Sequence, residues 1–295
     1  MRKYRKLIIV IVILVGAAVF GLVNNNRQKQ DPDFILFKAV NENAVNDVLT
    51  ALAAGADANA RDKVESTPLM YAAHNANMEI ITILIQNGAQ VNAVNKRLST
   101  PLNAAIMAEA NPIGVVRYLL ERGADVNLRD NSGRGPLDYA ASKNPHLEVL
   151  EALLDAGASV NVQDAAGFTP LMHAVTYNPN IEITRLLLDK NAEVNAVDKE
   201  GYSLLMYAAR HNQSPEVISL LLSKGANIHA AANNGITPLM AAAFENPNIE
   251  VMRVLLANGA DVNVKDVKNR TALDYLKSNK ALNNNDEAKA LLTPR

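Results

Sequence analysis

The chain has 295 residues, a net charge of −1 and no cysteine, which excludes disulfides, thiolate catalysis and cysteine-ligated metal. Aromatic residues make up only 4% of a chain that is 49% hydrophobic, so alanine and aliphatic residues must build the core, which favours closely packed helices over a β-sandwich. Residues 1–30 carry six basic and no acidic side chains, so the remainder, with 23 basic and 30 acidic residues, is acidic and poorly suited to nucleic acid or anionic lipid.

The chain begins with a membrane-targeting pattern. A basic segment, residues 1–6, precedes an uncharged apolar run at residues 7–23. A helix of that length reaches roughly 25 Å, near the thickness of a bilayer core, so the run predicts a transmembrane signal-anchor, with a cleaved signal peptide as the alternative. The basic residues before the run predict a cytoplasmic N-terminus and export of the rest of the chain. Residues 24–32 are polar and are interpreted as a linker.

A short motif, Thr-Pro-Leu or a close variant, recurs along most of the chain. Its copies start at Thr67, Thr100, Gly135, Thr169, Ser203, Thr237 and Thr271. The copies are 33 to 35 residues apart, and a second motif, Gly-Ala-x-Val-Asn or similar, accompanies them in register. Two motifs that keep their spacing over six periods predict an array of helical repeats.

The chemistry of one unit, residues 169–202, explains the pattern. Thr169 is a favourable N-cap and the proline after it suits a first helical turn, so a short first helix is predicted over 169–176. A turn at residues 178–180 leads to a second helix with paired aliphatic residues. That helix ends at glycine in most units and at Asn191 in this one, because these residues adopt the left-handed conformation most easily. The polar stretch that follows predicts a projecting hairpin.

The combination of TPL-x-x-A, an aliphatic second helix and GADVN-x-x-D resembles the ankyrin repeat over roughly residues 33–295. The resemblance implies an all-α ankyrin-repeat solenoid, with a helix–turn–helix and a hairpin loop in each unit, behind one N-terminal transmembrane or signal helix. We expect a bacterial, exported protein of this type. The units are an N-terminal capping repeat at 33–66, internal repeats at 67–99, 100–134, 135–168, 169–202, 203–236 and 237–270, and a C-terminal capping repeat at 271–295.

The chain departs from the family pattern at two positions. The histidine that usually follows TPL is absent, and we expect apolar packing by methionine to replace its hydrogen bond. That position holds Met70, Asn103, Asp138, Met172, Met206, Met240 and Asp274. The glycine expected two residues before the threonine is Glu65, Leu98 and Asn269 in three units, and we expect those hairpins to be distorted.

The sequence contains no recognisable catalytic or cofactor-binding pattern. No two of the five histidines are spaced as metal ligands on a helix, and no glycine-rich phosphate-binding motif is present. Asp138 and Asp274 are interpreted as helix-capping or hairpin-bonding groups rather than an acid–base pair. The hairpin aspartates, one per turn, are too few for calcium and are interpreted as acceptors for turn N–H groups. These are Asp62, Asp130, Asp164, Asp198 and Asp266. We therefore expect no enzyme activity, cofactor, metal or small-molecule substrate.

By resemblance, a partner should bind the concave face formed by the hairpins and the exposed ends of the first helices. The predicted partner-binding residues are Phe168, Thr176, Tyr177, Tyr202, Arg210, His211, Ile236, Phe244 and Glu245. Aromatic and arginine side chains dominate binding energy at protein interfaces, which favours this set. The alternative is a structural role, above all for Phe168, Tyr202 and Ile236, which could pack one hairpin against the next.

These features predict a protein-interaction module, tethered to the inner membrane through residues 7–23, with its repeats in the periplasm or an equivalent compartment. A soluble periplasmic or secreted protein is the alternative if the apolar run is cleaved. The leading interpretation is an inhibitor or regulator of an exported protein of unknown identity. The alternative is a structural scaffold of the cell envelope that joins several proteins.

Overall fold

In a computed structural model, which describes residues 31–108, 110 and 112–294, the chain is a row of short helices joined by turns and hairpins. The helices are α1 Pro32–Asn41, α2 Val45–Ala53, α3 Pro68–His74, α4 Met78–Gln86, α5 Pro101–Ile106, α6 Ile113–Glu121, α7 Pro136–Lys143, α8 Leu147–Asp155, α9 Pro170–Tyr177, α10 Ile181–Asp189, α11 Leu204–His211, α12 Pro215–Ser223, α13 Pro238–Glu245, α14 Ile249–Ala257, α15 Ala272–Leu276 and α16 Asp286–Leu292. They pair into eight consecutive helix–turn–helix units. The all-helical solenoid expected from the repeats is therefore confirmed over these residues.

The N-terminal part of the chain was predicted to contain a membrane helix followed by a linker. The predicted membrane helix, residues 7–23, lies outside the described residues. Within the described part of the chain, no helix combines the length and the apolar character needed to cross a bilayer. The predicted linker is one residue too long, because α1 begins at Pro32 with the Asp31 side chain accepting from the Asp33 N–H at 3.1 Å.

The first helices begin as the Thr-Pro signal predicts. In α9 the Thr169 hydroxyl accepts from the Met172 N–H at 3.2 Å, which caps the helix, and Pro170 occupies the first turn. At the position where the family usually has histidine, the four methionines are buried, as expected. Asp138 and Asp274 instead accept a hydrogen bond from the N–H of their own N-cap residue, at 2.8 and 3.0 Å, so the capping interpretation is confirmed for both.

The helices form two layers, because first helices stack on first helices and second helices on second helices. Alanines on the first helices, such as Ala72 and Ala208, are fully buried and let neighbouring units approach closely. The second helices bury a larger aliphatic stripe, for example Ile183 and Leu187 on α10. One continuous apolar core therefore runs the length of the stack.

The three hairpins that lack glycine are not distorted, so that expectation is wrong. Glu65, Leu98 and Asn269 adopt φ values of 63°, 59° and 59°. Each still donates its N–H to the carbonyl three residues before it, as Gly167 does in its own hairpin. The hairpin geometry is kept. The three residues instead lose some folding free energy, because residues with a side chain disfavour the left-handed backbone conformation.

Two rows of asparagine side chains cross between units. At the turn between the two helices, the Asn246 amide donates to the carbonyls of Ala209 and Asn212, both at 2.8 Å, and accepts from the Asn248 N–H at 2.9 Å. The asparagine of the Gly-Ala-x-Val-Asn motif does the same elsewhere, since Asn127 donates to Gly157 at 3.1 Å and accepts from the Ser159 N–H at 2.9 Å. The bonds donated by Asn246 and both bonds of Asn127 tie one unit to the next.

Replacing Leu98 with glycine should stabilise the fold. A residue with a Cβ pays about 1–2 kcal/mol in the left-handed region, and glycine loses about 0.5–1 kcal/mol more chain entropy on folding, so we expect a net gain of about 0.5–1 kcal/mol. Leu98 is 43% exposed and lies outside the continuous apolar core, so the loss of its side-chain contacts offsets only part of this gain. Urea unfolding followed by circular dichroism measures the change.

Gly167→Ala is the opposite control. At φ +92° its Cβ would stand 2.8 Å from the Lys199 backbone nitrogen, so this variant should lose more than about 1 kcal/mol. Equal stability of the two variants would contradict the account.

Candidate partner-binding face

Five of the seven hairpins close around an aspartate, as their turn chemistry predicts. In the hairpin before α11, Asp198 Oδ1 accepts from the N–H groups of Glu200 at 3.0 Å and Tyr202 at 2.8 Å. The other four hairpin aspartates make the same pair of bonds. Asn95 does so with its amide oxygen. These carboxylates hold the hairpins in shape, which confirms their predicted structural role.

The second oxygen of each hairpin aspartate receives a ring from the following first helix, a feature that the sequence analysis missed. Tyr207 donates its hydroxyl to Asp198 at 2.5 Å, and Tyr275 donates to Asp266 at 2.7 Å. Tyr71, Tyr139 and His173 bond to Asp62, Asp130 and Asp164 in the same way. In all five pairs the ring lies nine residues after the carboxylate, a separation that could have revealed them.

These bonds keep the tyrosines protonated as donors. The hydrogen bond to Asp62, aided by burial, raises the pKa of Tyr71 to about 12. Burial, with the bonded carboxylate, raises the pKa of Tyr139 and Tyr275 to about 12 as well. Each of these rings is thus held against its own hairpin by the hydrogen bond to the aspartate.

Two of the predicted binding residues serve the packing between units. The half-buried Phe168 ring lies between His173 and Tyr207, with ring centroids 5.2 and 4.6 Å away. Tyr202 lies 6.1 Å from the Tyr207 ring, and its hydroxyl accepts from the Asn234 amide at 2.7 Å. The structural alternative therefore accounts for contacts of both residues, although each keeps part of its surface exposed.

A shallow cavity of about 530 Å³ collects three other predicted residues, Thr176, Tyr177 and His211. Tyr177 is 57% exposed, and its ring stacks against His173 at 6.1 Å. His211 stacks on Tyr207 at 6.4 Å. The Thr176 hydroxyl donates to the Met172 carbonyl in its own helix and is therefore not free to bind a partner. Tyr177 and His211 provide the exposed ring surface of the cavity.

The remaining predicted residues meet one unit further along the stack. Tyr202, Arg210, Ile236 and Phe244 line a cavity of about 270 Å³. The Arg210 guanidinium lies 5.0 Å over the Phe244 ring and bonds to the Glu245 carboxylate at 2.7 Å. Because the Arg210 guanidinium is already held against a ring, it would lose little conformational entropy when a partner binds. Arginine and aromatic side chains in such contacts are common at protein interfaces.

A buried pair, His173 and Asp164, lies in the middle of this face, and its surroundings determine which of the two groups is charged. His173 Nε2 lies 3.0 Å from Asp164, and Arg134 lies 3.3 Å from the same oxygen. Burial lowers the pKa of His173 to about 4, and the charge of Arg134 adds to this. Burial favours a higher pKa for Asp164, but the N–H groups of Phe168 and Ala166 outweigh it and lower that pKa overall. Neutral His173 therefore donates to ionised Asp164 at neutral pH.

Comparison with known protein families gives matches over most of the described chain. A model described as ankyrin repeats (3 copies) matches residues 36–130 and 137–232. A second, described as ankyrin repeats (many copies), matches residues 221–276. The matches indicate a protein-interaction module and no catalytic family.

Among curated proteins, the chain is 32% identical over 131 residues to the mouse B-cell lymphoma 3 protein homolog, covering 44% of this chain and 29% of that protein. It is 38% identical over 91 residues to alpha-latrocrustotoxin-Lt1a of Latrodectus tredecimguttatus, covering 30% of this chain and 6% of the toxin. It is 29% identical over 118 residues to the BRCA1-associated RING domain protein 1 of Caenorhabditis elegans, covering 40% of this chain and 16% of that protein. The chain thus spans less than a third of the length of each of these relatives.

The His173 environment predicts a pH-dependent stability. The folded state holds this histidine with a pKa of about 4, below the 6.5 of an unfolded chain, so the unfolded state binds the proton more readily between those values. Stability is complete above pH 6.5 and falls as the pH drops toward 4. Between pH 7.5 and 5 the loss due to this residue is about 1–2 kcal/mol.

The variant His173→Tyr should remove that part of the pH dependence, because the other units bond their aspartate with a tyrosine at this position. The measurement is urea unfolding at pH 7.5 and 5.0. His74→Tyr, at an exposed position, is the matched control. If His173→Tyr keeps the native difference between the two pH values, His173 is not the source of it.

Proposed function

The chain belongs to the ankyrin-repeat family, and from this premise we propose that it is a membrane-tethered, extracytoplasmic module that binds an exported protein and regulates or inhibits it. The repeats supply a surface for protein partners. Membrane tethering, extracytoplasmic location and inhibition are proposals that go beyond family membership. No part of the proposal requires chemistry by the chain itself.

The binding surface is supported by one observation above the others: Tyr177, Arg210 and Phe244 lie in the last two residues of their helices. They lie on α9, α11 and α13, three consecutive first helices. Each combines a side chain of the type that dominates interface energy with partial or full exposure. Their backbones are held by the core, so a partner would meet a preorganised surface and would order little of it on binding.

Tethering is supported by the sequence alone. Residues 7–23 are apolar and uncharged, and the basic residues concentrate before them. The polar residues 24–31 then separate the apolar run from α1 and would place the repeats close to the membrane surface. Cleavage of the run would release the same repeats into the same compartment.

A scaffold of the cell envelope is the second candidate, favoured by a further cavity at the other end of the same face. About 220 Å³ of space lies between α3 and α5, lined by Met70, Tyr71, His74 and Ala104 among others. Its helices belong to units four and five repeats away from that of Phe244. Two separate recesses could receive two partners at once.

Replacing Tyr177, Arg210 and Phe244 together with alanine should abolish capture of the native partner. The full-length chain, carrying an affinity tag, is expressed in its source cells, cross-linked and purified from solubilised membranes. Proteins that co-purify in stoichiometric amount are then identified. One stoichiometric partner supports the inhibitor, and several support the scaffold.

The control variant carries Glu148→Ala and Glu151→Ala on α8, which are exposed on the outer layer of second helices. It should capture as the native chain does, and both variants should keep the native circular dichroism spectrum. Undiminished capture by the triple variant would refute the proposed face.

A further inference from the structure

The row of rings along the inner face has two gaps. The ring position of each unit, nine residues after its hairpin acid, holds Tyr71, Ala104, Tyr139, His173, Tyr207, Ala241 and Tyr275. The acid is missing in the same two units, where Asn95 and Ala232 stand in its place. A ring and its carboxylate are therefore lost together, and a recess between first helices lies at each of the two alanines.

The gap at Ala241, here called the Ala241 notch, is an apolar recess. Its volume is about 270 Å³, and Ala241 lies in it with Ile236, Met240 and three rings, those of Tyr202, Phe244 and Tyr275. Small-molecule sites usually enclose about 300–1,000 Å³ with several convergent polar groups. The Ala241 notch is smaller and apolar, so it matches a single large side chain.

Two arginines stand at the rim of the Ala241 notch. Arg270 lies 4.5 Å over the Tyr275 ring, as Arg210 lies over Phe244. Each uses Nε and one terminal nitrogen to bond its acid, Asp266 for Arg270 and Glu245 for Arg210. In the described structure the Nη1 group of each arginine makes no hydrogen bond, although a guanidinium carries five N–H donors. Two partly exposed guanidinium groups, each with donors left over, therefore stand beside an apolar recess.

The charge of the hairpins agrees with an acidic occupant. The seven hairpins, 61–66, 94–99, 129–134, 163–168, 197–202, 231–236 and 265–270, carry ten basic and seven acidic residues. Residues 31–295 as a whole have a net charge of −7, so the hairpins are a positive strip on a negative domain. The last hairpin, which borders the Ala241 notch, has three basic residues and one acid, and that acid is fully occupied by hydrogen bonds. This distribution attracts acidic segments and repels basic ones.

We propose that the Ala241 notch is the anchor pocket for a partner segment that carries an aromatic side chain with a carboxylate on either side of it. This inference rests on the proposed function, since it names the chemistry of the partner. The incoming ring takes the place that the missing tyrosine leaves in the row and packs against Tyr275 and Tyr202. The neighbouring carboxylates bond to the free Nη1 groups of Arg210 and Arg270.

The gap at Ala104 provides the comparison within the same chain. It is of similar size, about 220 Å³, but Ser66, Asn95 and Ser99 line it and no arginine does. Met70 and Tyr71 also line it, so a ring would find apolar surface there, but an adjacent carboxylate would meet no arginine. The preference for the Ala241 notch follows from its lining, because both gaps arise from the same tyrosine-to-alanine difference.

The test uses a defined probe, the peptide Ac-Gly-Ser-Asp-Phe-Asp-Ser-Gly-NH2, and the chain with isotope-labelled methionine methyl groups. We expect saturable shifts of the Met240 methyl signal. Changing the peptide Phe to Ala, or both Asp to Asn, should weaken binding about tenfold or more. In the protein, Ala241→Phe should abolish binding by filling the notch, and Ala104→Phe should leave it unchanged.

A second variant covers the case in which Ala241→Phe does not fold. Arg210→Gln should bind the Asp peptide more weakly and narrow its preference over the Asn peptide, because one of the two rim cations is removed. Equal binding of the parent peptide by native, Ala241→Phe and Ala104→Phe proteins would overturn the proposal. So would self-association of the native chain that Ala241→Phe abolishes in sedimentation, since the occupant would then be a second copy.

Failure of this proposal is distinguishable from failure of the proposed function. If the peptide does not bind the Ala241 notch but the Tyr177, Arg210 and Phe244 variant still loses its cellular partner, only the anchor is wrong. If capture is unaffected by that triple variant, the binding face itself is wrong, whatever the peptide does.

Discussion

The amide of a buried asparagine crosses from one repeat to the next at the turn between the two helices. Asn246 is fully buried, and it satisfies two carbonyls of the preceding unit and one N–H of its own. Asn178 and Asn279 make the corresponding set of bonds at other junctions. In a solenoid each unit touches only its neighbours, so stability depends on these junctions as much as on the units. Aliphatic packing tolerates sliding, whereas a buried amide permits one register.

A fixed register explains why the inner face is a surface rather than a set of loose hairpins. The asparagines align the units, and the hairpin acids then receive rings from the first helices, as Asp198 does from Tyr207. The rings stand in a row because the units do. The cavities beside Tyr177 and Ala241 are consequences of that row, one at its exposed edge and one at a missing member. A partner would therefore bind a shape that the core has already built.

The sequence predicted the parts of this arrangement that depend on local chemistry. Thr169 and the proline after it predict the start of a helix, Asn191 predicts the end of the next one, and Asp198 predicts a closed turn. Each of these residues acts on atoms only a few residues away. It did not predict the asparagine junctions, whose partners lie in the neighbouring unit, or the ring–carboxylate pairs, whose nine-residue separation means contact only once the hairpin folds back. It also misjudged Leu98, because the left-handed conformation at that position is imposed by the neighbouring hairpin bonds and tolerated at a cost. The roles of the predicted binding residues divide similarly, with Phe168 occupied by packing while Tyr177 remains open.

The most direct measurement is the stability of Asn246→Ala compared with Asn263→Ala, followed by urea unfolding and by hydrogen exchange across the junction of α11 and α13. Asn246 makes three bonds in a buried site, whereas Asn263 is exposed and bonds only to Asp261 two residues away. The account predicts a loss of about 2–4 kcal/mol for Asn246→Ala, with faster exchange confined to the units on either side, and a change within about 0.5 kcal/mol for Asn263→Ala. Equal stability of the two variants, with unchanged exchange at the junction, would show that aliphatic packing alone sets the register and would contradict the account.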